Sequence, residues 1–173
     1  KSLKISKNDI SKFKKIGESY YIKIKKISKE HERSTDKLPI NFLFIGFIKL
    51  ALPNAKIINC LRNPKDNIFS IFKNHFPDGK VNFGYNINEI VDYYNLYTDL
   101  MKYWNSMFGN FIYNIKYENL ISNKDDEIKN LLKFCSLPWE NQCLNHHDNT
   151  RPIKTASDVQ ARKKIYKSSI DSW

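Results

Sequence analysis

The stretch Ala55–Phe76, AKIINCLRNPKDNIFSIFKNHF, constrains the fold more than any other part of the sequence. Its first part, 56–61, is short, apolar and β-branched, and reads as a buried parallel strand. Arg62 follows at once, and then a helical pattern begins. Asn63 is a helix cap, Pro64 fits a first turn, and Asp66 stands where a capping box places an acid. A strand therefore delivers an arginine to the mouth of a helix. The free N–H groups and positive dipole end of a helix favour an anion there. The planar fork of Arg62 suits phosphate, and Ser70, two turns into the helix, adds a hydroxyl donor. A surface arginine and a serine bonded to its own backbone would give the same letters, so this junction alone does not decide the matter.

Around it the chain reads as alternating elements. Ile10, Phe13, Ile16, Tyr20, Ile24 and Ile27 predict an amphipathic helix over 9–29. Pro39 opens a second helix, 39–51, apolar nearly all round and therefore expected inside. Strand 56–61 and helix 64–75 follow, then a Pro/Gly loop over 76–84. Asn88 is expected to cap a helix over 89–107 that Gly109 stops. Phe111–Lys116 reads as a second strand, 123–134 as a last helix and 146–162 as irregular. This order implies an α/β domain with a parallel sheet flanked by helices. Two strands make a poor sheet, and the first residue is Lys1, so 1–173 is expected to be a single partial domain, truncated at its N-terminus.

The net charge of +11 favours an anionic ligand, although lysine, asparagine and isoleucine are enriched together, as A/T-rich coding would produce. No apolar run is long enough to span a bilayer, and no membrane partner is expected. Cys60, Cys135 and Cys143 are odd in number and lack metal-ligand spacing. Buried reduced thiols are expected, with no metal site, in a reducing compartment, hence the cytoplasm. His146 and His147, being adjacent, share no face and read as surface.

Two further segments carry charge in suggestive places. TDKLP, Thr35–Pro39, sets Lys37 just before an apolar helix, although an Asp turn before a helix-starting proline explains it equally well. RPIKTASDVQARKKIYKSS gathers Arg151, Lys154, Arg162, Lys163, Lys164 and Lys167 among hydroxyl donors, as a phosphate-covering loop or a solvated tail would.

Taken together, TDKLPINFLFIGFIKLALPNAKIINCLRNPKDNIFSIF, YENLISNKDDEIKNLLKFCSLPWE and TASDVQARKKIYKSSIDSW occur in an order and spacing that closely resembles the C-terminal two-thirds of bacterial sulfotransferases. These are the kind often fused to tetratricopeptide repeats and related to tyrosylprotein sulfotransferases. The resemblance runs from Thr35 to Trp173. It implies a P-loop-kinase-like parallel sheet and transfer of a sulfuryl group from 3′-phosphoadenosine 5′-phosphosulfate (PAPS) to a small-molecule or peptide hydroxyl acceptor. Adenosine 3′,5′-bisphosphate would be the product, with no metal on the donor. It also implies that Arg62 and Ser70 grip the 3′-phosphate, that Tyr117 lies near the nucleotide, and that Arg162 and Lys163 contact phosphates from a closing loop. Lys37 would stand by the sulfuryl group as the catalytic cation. Tyr166 and Trp173 would anchor the loop by packing.

One departure is clear. The family's 5′-phosphosulfate loop, ending in Ser-Gly-Thr-Thr, is missing from a chain with only five glycines. That loop and the acidic general base are expected before Lys1. Two other readings compete: a basic nucleic-acid or polyanion binding module without catalysis, and a kinase fragment. The aromatics fall at core-like helical spacing rather than in alternating strand patterns, which disfavours nucleic acid. The kinase motifs Gly-x-x-x-x-Gly-Lys and a Mg²⁺-holding Asp are not found.

Overall fold

A computed structural model describes residues 6–28, 31–74, 76, 81–149, 170, 171 and 173. The architecture is mixed but mostly helical. It comprises α1 (Lys7–Ser28), a 3-10 turn (Pro39–Phe44), α2 (Ile45–Ala51), β1 (Ile57–Leu61), α3 (Pro64–Phe72), α4 (Ile87–Phe108), β2 (Ile112–Lys116), α5 (Tyr117–Ser122) and α6 (Lys124–Cys135), with further 3-10 turns between. The chain falls into two compact units. One takes in the described residues up to Ala55 together with Tyr97–Phe111, the other Lys56–Leu96 with the described residues from Ile112 onward.

In the first unit α1 packs on α2. The line that α1 turns inward is Phe13, Gly17, Tyr20 and Ile24, at the spacing of one helix face. Gly17 allows the approach, because a Cβ there would sit 1.8 Å from the Ala51 carbonyl oxygen. Phe13 meets Phe47 at 5.4 Å between ring centroids. The Trp104 indole N–H donates to the Phe42 carbonyl at 2.8 Å, and Phe42 meets Tyr97 edge-on. Phe42, Ile45, Met101 and Phe111 form the buried centre. The expectation that 39–51 is buried all round is corrected here. Phe44 and Phe47 are exposed, since a 3-10 turn followed by a short helix fully buries only Phe42 and Ile45.

The Tyr20 hydroxyl donates to Asp36 Oδ2 at 2.6 Å. Donation to the carboxylate, first, and partial burial push the Tyr20 phenol up to about 12 from its ordinary 10.0. The folded pKa lies above the unfolded one, so this contribution to stability is complete below pH 10 and lost as the pH rises to 12. In an ultraviolet titration Asp36→Ala is expected to return one tyrosine toward its ordinary range. An unchanged titration curve would contradict the bond.

In the second unit β1 and β2 are parallel neighbours, paired from Ile57↔Ile112 to Leu61↔Lys116. Ile112 and Ile115 are buried on β2, and Ile90 of α4 is fully buried. α6 covers β2 through Tyr113 and Phe134, whose centroids lie 5.2 Å apart. α6 closes in a Schellman turn: Ser136 takes a left-handed φ of 55°, and Ser136 and Leu137 N–H donate to Lys133 and Leu132 carbonyls.

Several boundaries move. α3 stops at Phe72, short of 75. The cap of α4 is Asn86 rather than Asn88, because its Oδ1 accepts the Asn88 N–H at 2.9 Å and its carbonyl accepts that of Ile90. Cys60, expected inside, is exposed, although partial burial still pushes its thiol up. No helix of the described residues is long and apolar enough to cross a membrane. No cluster of His, Cys, Asp or Glu among them has the makings of a metal site, and His147 instead lies 3.4 Å from Asp148.

Candidate functional site

Because Leu61 is in register with Lys116, the residues that follow them, Arg62 and Tyr117, leave the carboxyl ends of two parallel strands side by side. Ligands of parallel α/β sheets bind at that end. Both residues are half-buried, and the Arg62 guanidinium carbon lies 5.4 Å from the centroid of the Tyr117 ring. The face of the ring attracts the cation, and the guanidinium is of the planar, forked kind that suits phosphate.

The start of α3 sits directly beyond. Asn63 caps it, its Oδ1 accepting the Lys65 N–H at 2.9 Å. The Asn63 N–H donates to Glu118 Oε1 at 2.7 Å, so an acid from α5, 55 residues away, serves a group that the sequence assigns to Asp66. Asp66 is fully buried, and its Oδ2 accepts the Asp171 N–H at 2.9 Å. That carboxylate fixes a residue of left-handed φ, 53°. One residue earlier, the Lys65 ammonium lies 3.4 Å from the Trp173 ring centroid. Asp171 and Trp173 thus contact the first turn of α3, with the Trp173 ring still exposed. Ser70, one turn beyond Asp66 on the same face, is half-buried.

Of the expected site residues, Arg62, Tyr117 and the helix bearing Ser70 come together in the second unit. Lys37 belongs to the first unit, where it is exposed in the segment before Pro39. Arg162 and Lys163 lie outside the described residues, as does Tyr166. Sequence reasoning found no role for Glu118, because its contact with Asn63 is long-range. The residue order Tyr-Glu directly after a strand was the one available signal.

Glu118→Ala is expected to destabilise the protein by about 1–2 kcal/mol, because it strands the part-buried Asn63 N–H. Glu118→Gln keeps an acceptor oxygen and is expected to cost less than half of that. Urea unfolding of the two variants checks the order, and equal losses would show that the charge and not the hydrogen bond matters.

A family model described as the sulfotransferase family matches residues 7–141. The chain belongs to this family. Among relatives of this sulfotransferase-family chain, an uncharacterized protein of Aquifex aeolicus (strain VF5) is 38% identical over 157 residues, covering 89% of the chain and 21% of that protein. A Caenorhabditis elegans protein named "Putative protein-tyrosine sulfotransferase" is 26% identical over 140 residues, 81% of the chain and 54% of the relative. A Caenorhabditis briggsae protein of the same name is 24% identical over 140 residues, 81% and 50%. The chain thus spans about half the length of the nematode relatives and about a fifth of the Aquifex protein.

Proposed function

We propose that this chain carries the 3′-phosphate-binding half of the donor site of a sulfotransferase that moves a sulfuryl group from PAPS to a hydroxyl. The observation that carries this reading is the pairing of Arg62 with Tyr117 at the carboxyl ends of both strands, at the mouth of α3. The planar guanidinium of Arg62, set beside the positive dipole end of α3, suits a phosphate dianion. In this reading Arg62 and Ser70 hold the 3′-phosphate, Tyr117 borders the nucleotide, and Arg162 and Lys163 contact its phosphates. Lys37 neutralises charge developing on the bridging oxygen. A hydroxyl attacks sulfur in line, a base removes its proton, and adenosine 3′,5′-bisphosphate leaves.

The fold is then one partial P-loop-kinase-like domain. The 5′-phosphosulfate loop and the general base are taken to come from residues outside this sequence. The acceptor is a small molecule or a peptide hydroxyl, and the setting is cytoplasmic. The test is sulfuryl transfer from labelled PAPS by the full-length protein to a tyrosine peptide, a sugar and a small alcohol, beside calorimetry with adenosine 3′,5′-bisphosphate, adenosine 5′-monophosphate and ATP. Transfer together with a preference for the bisphosphate supports the reading. Binding with a steep salt slope and no preference for a 3′-phosphate would replace it with the polyanion-binding module, and a preference for ATP with a kinase.

A further inference from the structure

We propose that Tyr20 and Asp36 are positioning residues for Lys37, a proposal that rests on the role given to Lys37 above. Residues 31–38 form neither helix nor strand, and all are exposed. A cation that stabilises charge in a transition state has to be held in place before the reaction, and an exposed segment of this kind does not hold it unaided.

Two contacts supply the hold. On one side of Lys37, the Leu38 carbonyl accepts the Asn41 N–H at 3.0 Å and ties the segment to the 3-10 turn. On the other, Asp36 Oδ2 takes the Tyr20 hydroxyl at 2.6 Å, a short, charge-assisted bond that reaches across 16 residues of chain. Tyr20 is a sound anchor, since it stands on the face of α1 that packs inward with Gly17 and Ile24. Lys37 is therefore flanked by two tethered neighbours.

The same bond occupies the adjacent carboxylate. Among the described residues Asp36 makes no ion pair with Lys37, so the ammonium is presented beside an acid already engaged elsewhere. A phenol that donates to the acid orders the segment without spending the lysine's charge.

The test is steady-state kinetics on the full-length protein, with PAPS varied at a saturating level of whichever of the three acceptors it uses. The variants are Tyr20→Phe, Asp36→Ala, their double, Asp36→Asn and Lys37→Ala, each checked by thermal melting for intact folding. Tyr20→Phe and Asp36→Ala are each expected to lower kcat roughly fivefold, the worth of one hydrogen bond, with KM for PAPS unchanged. The double variant should lose no more than either single. Asp36→Asn, whose amide oxygen still accepts from the phenol, should stay within about twofold of the parent. A general loss of structure would move KM and melting instead, and would not be rescued by the amide.

Wild-type kcat in Tyr20→Phe and Asp36→Ala, alongside a Lys37→Ala variant that has lost activity, would overturn the proposal. So would additive losses in the double variant. Wild-type kcat in Lys37→Ala overturns it differently, since nothing is then left to position, while sulfuryl transfer itself stands. Failure of transfer in the parent protein removes the broader reading and this inference together.

Discussion

Gly17→Ala is expected to lower the thermal midpoint by roughly 6–12 °C, corresponding to about 3 kcal/mol in a chain of this size. Two effects oppose each other at this position. Alanine in a helix interior is favoured over glycine by about 1 kcal/mol, which alone would stabilise α1. Against it stands the contact between α1 and α2. A Cβ at residue 17 would lie 1.8 Å from the Ala51 oxygen and 2.7 Å from its carbonyl carbon. Those are backbone atoms, so no side-chain rotation relieves the overlap. α2 would have to slide, and Phe47, packed on Phe13, would move with it. Separating the helices forfeits the apolar contact that holds this unit together, and the clash outweighs the propensity.

Gly109→Ala is the control, because a Cβ there meets nothing within 4 Å. It is expected to stay within about 0.5 kcal/mol of the parent, as changes away from packed features do. Matching midpoints for the two variants would mean that α1 and α2 do not approach as described.

What the sequence reveals here follows from how local the determining forces are. β1 and α3 are legible because Asn63, Pro64 and the β-branched run specify them within a dozen residues, and the Asn63 cap is found as expected. α1 is legible from its 3.6-residue period, yet that period cannot say how wide the buried face is. Ile16 and Ile27 belong to the pattern and are exposed, while Gly17, invisible to a hydrophobic count, is buried. α5 escapes because six residues hold too little periodicity to be told from a loop. The lower boundary of α4 shifts because Asn86 and Asn88 are both good caps, and choosing between them depends on the 3-10 turn just before. Arg62 and Tyr117 are each identifiable by resemblance, but their contact depends on strand register. The Glu118–Asn63 and Asp66–Asp171 bonds join residues 55 and 105 positions apart. No local rule anticipates them, and they decide how the mouth of α3 is built.

The second large effect is expected at that mouth. Arg62→Ala should weaken calorimetric binding of adenosine 3′,5′-bisphosphate by the full-length protein about 100-fold, the usual scale for removing one partner of a close, partly desolvated charge pair. Its affinity for adenosine 5′-monophosphate should change little, because that ligand lacks the group Arg62 is proposed to hold. Arg62→Lys keeps the charge but loses the planar fork and its contact with Tyr117, so a loss of about 10-fold is expected. Tyr117→Phe keeps the ring face by the guanidinium and should bind nearly as the parent does, whereas Tyr117→Leu should fall several-fold if the ring orients the arginine. The order matters more than any single value. Equal weakening toward both nucleotides would make Arg62 a general attractor of anions, as in the polyanion-binding alternative. A selective loss for the bisphosphate, graded from lysine to alanine, is what a geometrically fixed 3′-phosphate clamp requires.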